Sequence, residues 1–174
     1  MQSLSPSSVT LRPRQRGFSL IEVMVALMVL AIGLLGLAGL QTLGLKFNTQ
    51  SYQRTQAVLN AYDIIDRIRA NSGGIGAAVY DDVKITLPLP PLPPSPDCGA
   101  VTCDNAQMAN YDITQWKNSL AELLSQGKGA VCRGVLAADF AGCIVDPAGN
   151  TSFQVGVQWF ENDIPMRLAV EAQL

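Results

Sequence analysis

The 174-residue sequence contains no histidine. This absence excludes a Ser-His-Asp triad, a Cys-His dyad and every metal site built on imidazole. The segment Gly127-Lys128-Gly129 lacks the glycine spacing and the Ser or Thr of a phosphate-binding loop, so we interpret it as a turn. We therefore expect no catalytic residue, no metal, no cofactor and a protein that is not an enzyme.

Paired carboxylates, which acid–base chemistry would need, are also scarce. Asp63 and Asp66 lie three residues apart in a helix-compatible segment. The basic residues that follow, Arg67 and Arg69, can neutralise them by pairing at i,i+3 and i,i+4 spacing. Asp81-Asp82 is the other pair. For both pairs we expect a solvated protein surface.

Charged residues are missing from Val23 to Leu45, a run of 23 residues. This run exceeds the roughly 18 apolar residues that mark a candidate membrane-spanning helix, and about 1.5 Å per residue lets it cross a hydrocarbon core of about 30 Å. Three arginines precede it, at positions 12, 14 and 16, whereas Lys46 is the only basic residue close behind. The positive-inside rule therefore predicts a cytoplasmic N-terminus, with residues 46–174 outside.

Basic residues are too few for a nucleic-acid surface. Without residues 1–17 the chain keeps nine basic side chains against 14 acidic ones. That balance argues against nucleic acid as a partner.

The sequence predicts one long helix from Phe18 to Ala70. Its second half carries apolar residues at three- and four-residue steps: Val58, Ala61, Tyr62, Ile65 and Ile68. We expect Asn71-Ser72-Gly73-Gly74 to end it, because glycine takes the left-handed conformation that closes helices. A helix of 53 residues would reach about 80 Å, so its apolar first half is expected to protrude. Four glycines in that half are compatible with close packing or with local melting: Gly33, Gly36, Gly39 and Gly44.

The rest of the chain predicts a small sheet and a second helix. The second helix starts at Asp104 and Gln107 and ends near Gly127, with Tyr111, Trp116, Leu120, Leu123 and Leu124 at helical spacing. Alternating apolar residues at 153–159 and 166–170 predict an antiparallel hairpin that turns at Glu161-Asn162-Asp163. The apolar runs 130–136 and 140–145 give weaker signals for strands, and residues 146–150 are predicted to form a turn. The predicted sheet therefore has three or four strands. Six of the ten prolines fall in residues 87–96, which we interpret as a stiff, extended connection, with a polyproline motif that docks a partner as the alternative.

The four cysteines all follow Lys46, in the part predicted to lie outside, where disulfides persist. They occur as Cys98 with Cys103 and Cys132 with Cys143. Sequence alone allows three pairings, and we favour pairing within each couple. A four-thiolate zinc site is the alternative, but the second couple violates its usual ligand spacing.

Glu22 stands at the front edge of the apolar run, where an acid is costly unless it is paired or close to the interface. No Lys or Arg lies within the span, so a cation must come from another molecule or from a cut in the chain. A cut before Phe18 would create one as a new α-amino group. The alternative is a glutamate that snorkels to the headgroups.

The segment Arg16-Gly17-Phe18-Ser19-Leu20-Ile21-Glu22-Val23-Met24 resembles the processing motif of type IV pilins. The resemblance implies that a prepilin peptidase cleaves after Gly17 and methylates Phe18. It also implies that Glu22 neutralises the amine of a neighbouring subunit during assembly. The corresponding parts of the chain are a leader at 1–17, a transmembrane and assembly half-helix at 18–45, and a periplasmic domain at 46–174.

Residues 32–71, together with Ala106-Gln107-Met108 and Tyr111-Asp112, are similar to the PilV group of minor pilins. The resemblance implies an α+β pilin fold in which a long helix packs on a small antiparallel sheet. It further implies that the protein is located first in the inner membrane and then in a surface pilus. Its partners would be other minor pilins, the major pilin and a tip adhesin. A pseudopilin of a type II secretion system is the alternative, and a membrane-anchored periplasmic redox protein is a more distant one.

Overall fold

The computed structural model describes residues 17–85, 93–144 and 152–174. These residues form the α+β fold that was predicted, with a long N-terminal helix, two shorter helices and a small antiparallel sheet. The chain divides between Leu45 and Lys46 into two compact units. The second unit contains the sheet and the hydrophobic core.

Helix α1 runs from Leu20 to Ala70 and confirms the predicted long helix to within two residues. It stays helical through the four glycines of its apolar half, so local melting is not observed there. At these glycines an added Cβ would meet no atom within 4 Å. Every residue from Gly17 to Thr49 is exposed.

Within the second unit, α1 buries a stripe at three- and four-residue steps. Its buried apolar residues are Ala57, Ala61, Ile64, Ile65 and Ile68. The prediction that Tyr62 shares this stripe is wrong, because Tyr62 is 51 % exposed. The stripe is centred on Ala57, Ala61, Ile64 and Ile68, which places Tyr62 on the opposite side of the helix.

Helix α1 ends differently from the prediction. Neither Gly73 nor Gly74 takes a left-handed φ. Instead, Asn71 leaves the helical conformation and its side chain accepts a hydrogen bond of 3.0 Å from Gly74 N, which caps the short helix α2 (Ser72–Gly76). An asparagine cap therefore stands where a left-handed glycine was expected.

Helix α3 (Asn105–Leu123) begins where the sequence predicted. Asp104 accepts a hydrogen bond of 2.8 Å from Gln107 N, and the Gln107 side chain accepts one of 3.0 Å from Asp104 N. This reciprocal pair is a capping box, which satisfies two donors that the first helical turn leaves free. Trp116 and Leu120 are fully buried, whereas the prediction that Leu123 shares their apolar stripe is wrong, because Leu123 is exposed.

The main sheet has four antiparallel strands in the order β1-β2-β5-β6. The strands are β1 (Asp82–Val83), β2 (Lys128–Arg133), β5 (Phe153–Glu161) and β6 (Ile164–Ala172). The predicted hairpin is confirmed, since Glu161 pairs with Ile164 and Phe153 with Ala172. Its turn residues Asn162 and Asp163 both have positive φ, as two-residue hairpin loops require. The predicted turn at Gly127-Lys128-Gly129 is wrong, because β2 already begins at Lys128.

One face of the sheet packs on α1 and α3 to form the core. Its strand residues are Val131, Phe153, Val155, Val157 and Trp159, with Ala172 at the end of β6. A smaller cluster lies elsewhere in the unit and combines Ala130, Cys132, Leu136 and Phe140. Two further strands, β3 (Val135–Leu136) and β4 (Cys143–Ile144), form a separate pair. Phe140 is not a strand residue, because it turns with a φ of 61° and is buried over Gly156.

Some predictions concern residues outside the described ranges. These are the leader up to Arg16, residues 87–92 of the proline run and the turn at 146–150.

Candidate functional site

The first described residues form a short non-helical segment before α1. Gly17, Phe18 and Ser19 precede the helix, and an added Cβ on Gly17 would meet nothing within 4 Å. The carbonyl of Ser19 accepts hydrogen bonds from Glu22 N at 3.0 Å and from Val23 N at 3.3 Å. The bond between Gly17 and Phe18 therefore lies in exposed, non-helical backbone.

Phe18 lies just before α1, and Glu22 lies in the first turn of α1, four residues further along the chain. They line one surface depression together with Ala26 and Leu30, which continue the same four-residue step. Phe18 is 84 % exposed and Glu22 is exposed. Phe18 and Glu22 are thus both presented on an exposed, largely apolar surface.

The part of α1 that follows Glu22, up to Leu45, is apolar, and all of its residues are exposed. Its largest apolar side chains include Leu20, Met24, Leu27, Leu30, Leu35 and Leu40, all more than half exposed. Among the described residues α1 is the one helix long and apolar enough to cross a membrane, judged by length and composition. A surface of this kind requires lipid or other helices to cover it.

A network of polar side chains that the sequence did not reveal joins the end of α1 to α3. Arg67 donates to Asp63 Oδ2 at 2.9 Å and to Asp112 Oδ1 at 3.2 Å. Burial lowers the pKa of Arg67, but the two carboxylates outweigh burial, so the net pKa is raised. Arg67 therefore pairs across elements as well as within its own helix, and only the internal pair with Asp63 was predictable from spacing.

Tyr80 belongs to the same network and is fully buried. Its hydroxyl donates to Asp112 Oδ2 at 3.4 Å and accepts from Asn71 Nδ2 at 3.3 Å. Burial raises the pKa of Tyr80 to about 12. These contacts fix the loop after α1 against α3 and have the character of a structural network.

Asp81 does not face solvent as predicted. It forms an ion pair of 2.8 Å with Arg133, and both side chains are about two-thirds buried. Arg133 also donates to the Ile75 carbonyl at 2.8 Å and stacks over the Phe153 ring at 5.0 Å. Asp82, by contrast, is half exposed beside Lys84.

The cysteines form two disulfides, Cys98–Cys103 and Cys132–Cys143, which is the local pairing that was favoured. The thiolates that a zinc site would need are consumed by these bonds. Across 17–85, 93–144 and 152–174, no group of three or more Cys, Asp or Glu side chains is arranged to hold a metal ion.

Comparison with protein families gave two adjoining matches. Residues 12–38 match the prokaryotic N-terminal methylation motif. Residues 39–114 match the family described as type IV pilin Tt1218. No significant match was found among curated proteins or among solved structures. The two family matches run without a gap from residue 12 to residue 114, and they support a type IV pilin, a structural subunit and not an enzyme.

Proposed function

We propose that this chain is a minor pilin of the PilV kind, which helps to initiate assembly of a type IV pilus. A prepilin peptidase cleaves between Gly17 and Phe18 and methylates the new N-terminus. Before assembly the subunit is anchored in the inner membrane, with residues 18–45 in the bilayer and residues 46–174 in the periplasm. It then joins other minor pilins and the major pilin through its helix, and it contacts an adhesin at the tip.

The observation that supports this proposal is the position of Glu22. It lies four residues after Phe18, at the start of a helix whose next 23 residues are uncharged and exposed. In low dielectric an unpaired carboxylate is costly, whereas a carboxylate paired with an amine recovers much of that cost. An assembled helix bundle would therefore favour the register that brings Glu22 to the α-amino group of a neighbouring Phe18.

The direct test separates processing from assembly. We expect Gly17→Leu to leave the leader uncut, because the peptidase must fit the residue before the cleaved bond. We expect Glu22→Gln to be cleaved normally but to reduce incorporation into pili, because the carboxamide has no charge. Mass spectrometry of the mature N-terminus and quantitative immunoblotting of sheared pili measure the two steps.

Two controls make the test decisive. Gly33→Ala changes a glycine in the same helix and should leave cleavage intact. Glu22→Asp keeps the charge and should assemble better than Glu22→Gln. An intact N-terminus in the wild-type protein would refute the pilin function, whereas normal assembly of Glu22→Gln would refute only the charge-pairing step.

The same chain in a type II secretion pseudopilus would have the same processing and the same helix. Deletion of the gene distinguishes the two machines. Loss of surface pili with intact secretion supports our proposal, and loss of secretion with normal pili would replace it by the pseudopilin function.

A further inference from the structure

An open groove of about 320 Å³ lies in the globular unit, beside the first turns of α1 in that unit. Its polar lining residues are Lys46, Gln50, Gln53, Ser125, Glu161 and Asn162. Residues of α1 line one side of the groove, and the β5–β6 hairpin and the segment after α3 line the other. A hydrogen bond of 3.0 Å from Phe160 N to the Ser125 carbonyl joins the hairpin to that segment. The groove is thus formed by three elements.

The charges in this groove are of both signs. Lys46 is exposed and makes no ion pair with any residue in the described ranges. Glu161 accepts a hydrogen bond of 2.9 Å from Trp159 Nε1 through Oε1, which fixes the carboxylate and leaves Oε2 for another donor. Lys46 and Glu161 are the charged residues among those that line the groove.

The position of Lys46 points to the environment of the groove. Lys46 is bonded to Leu45, the last residue of the uncharged run, and is the first charged residue after Glu22. In a helix that crosses a bilayer, the first lysine after the apolar run lies at the level of the lipid headgroups. Ile164, the strand partner of Glu161, is 62 % exposed, which suits the boundary between headgroups and acyl chains.

We propose that this groove binds the zwitterionic headgroup of a phosphatidylethanolamine while the subunit is stored in the membrane. Lys46 and the amides of Gln53 and Asn162 take the phosphate, and Glu161 takes the ammonium. The Glu161 carboxylate in the same groove as Lys46 disfavours an anionic headgroup that carries no cation of its own. The inference rests on the proposed membrane-anchored pilin, and it adds a lipid contact outside the apolar helix.

The test uses the full chain in dodecyl maltoside micelles, titrated with dihexanoyl phosphatidylethanolamine. Nuclear magnetic resonance signals of the Asn162 and Phe160 backbone amides and of the Gln53 side-chain amide report binding. Parallel titrations use the dihexanoyl phosphatidylcholine and phosphatidylglycerol lipids and sodium phosphate. We expect saturable shifts that are strongest for ethanolamine, weaker for choline, which has no N–H donor, and weakest for glycerol and phosphate.

Matched variants locate the site. Lys46→Gln and Glu161→Gln should each weaken ethanolamine binding roughly two- to fivefold, the range for one exposed ion pair. In Glu161→Gln the new carboxamide oxygen can still accept the bond from Trp159, so folding is preserved. Arg54→Gln on α1 and Glu122→Gln on α3 remove one charge each from exposed positions outside the groove and should leave binding unchanged.

Three results would overturn the inference. They are the absence of saturable shifts, equal binding of the glycerol lipid or free phosphate, and ethanolamine binding that neither groove variant weakens. Each leaves the pilin proposal intact, because cleavage at Gly17 and assembly through Glu22 are measured separately. Conversely, an uncut N-terminus together with ethanolamine binding would refute the pilin function and retain the lipid site.

Discussion

The indole Nε1 of Trp116 donates a hydrogen bond of 2.9 Å to the backbone carbonyl oxygen of Asn60, and this bond joins α3 to α1. Ser119, one turn further along α3, donates to the Asn60 side chain at 3.0 Å. Trp116 is fully buried. One position on α1 is therefore fixed by two side chains of α3, inside the core of the globular unit.

Replacing Trp116 should measure this contact. Trp116→Phe keeps an aromatic ring but loses the donor, and we expect the free energy of unfolding to fall by about 1–2 kcal/mol. Trp116→Ala also opens a cavity and should cost about 3–5 kcal/mol. Urea unfolding of the oxidised full chain in a nonionic detergent measures both. Leu123→Ala, on the exposed side of α3, is the control, and an equal loss there would contradict the expectation.

Gly129 on β2 lies directly under the same ring. A Cβ added there would overlap Trp116 Cη2 and would stand 2.6 Å from Leu120 Cδ1. We expect Gly129→Ala to destabilise the protein by about 1–3 kcal/mol, because the packed side chains must move. Gly142→Ala, whose nearest atom would be 3.9 Å away, should be close to neutral in the same unfolding assay. Equal midpoints for the two variants would show that the core is looser than the contacts indicate.

Tyr80 should make stability depend on alkaline pH. Burial raises its pKa from 10.0 to about 12, so the folded state holds the phenolic proton more tightly than the unfolded state does. This contribution is complete below about pH 10 and is lost as the pH rises through about 12. Thermal unfolding between pH 8 and pH 12 should show the decline, and Tyr80→Phe should reduce its slope. Tyr62→Phe, at an exposed tyrosine, should keep the wild-type slope, and a Tyr80→Phe slope equal to wild type would contradict the assignment.

The two disulfides should differ in their contribution to stability. Cys98 and Cys103 are five residues apart, whereas Cys132 and Cys143 are 11 apart. Chain entropy predicts a loss of about 2 kcal/mol when the first pair is replaced by alanine and about 3 kcal/mol for the second. Loss of the second pair also frees the turn that places Phe140 over Gly156. Unfolding of the two double variants measures the order, and a larger loss for the Cys98–Cys103 pair would contradict the expectation.

The elements with a strong repeating pattern could be predicted from the sequence. Helix α1 and the β5–β6 hairpin follow from a long apolar run and from strict alternation, and the start of α3 follows from the Asp104 and Gln107 pair. These signals are local, because each depends on neighbours within a few residues. The disulfide partners could also be predicted, because each cysteine pairs with the cysteine nearest to it in the chain. The site residues Gly17, Phe18 and Glu22 were identified by their resemblance to a processing motif, and their roles stay predictions.

Contacts between distant segments could not be predicted in this way. Arg67 was expected to pair only along its own helix, yet it also meets Asp112, which is 45 residues away. Asp81 was expected to face solvent, yet it pairs with Arg133 from the end of β2. The groove that contains Lys46 and Glu161 combines residues more than a hundred positions apart. None of these pairs leaves a periodic signal in the chain.

The sequence by itself determined the long helix, the uncharged segment and the carboxylate at its front edge. These features depend on backbone propensity and on the cost of charge in an apolar medium, which act on short stretches of chain. Tertiary structure alone decided where the buried face of α1 is centred, how Asn71 ends that helix and which distant charges meet. Those outcomes depend on packing between segments that fold together, because a side chain's partners are set by the arrangement of helices and strands in space.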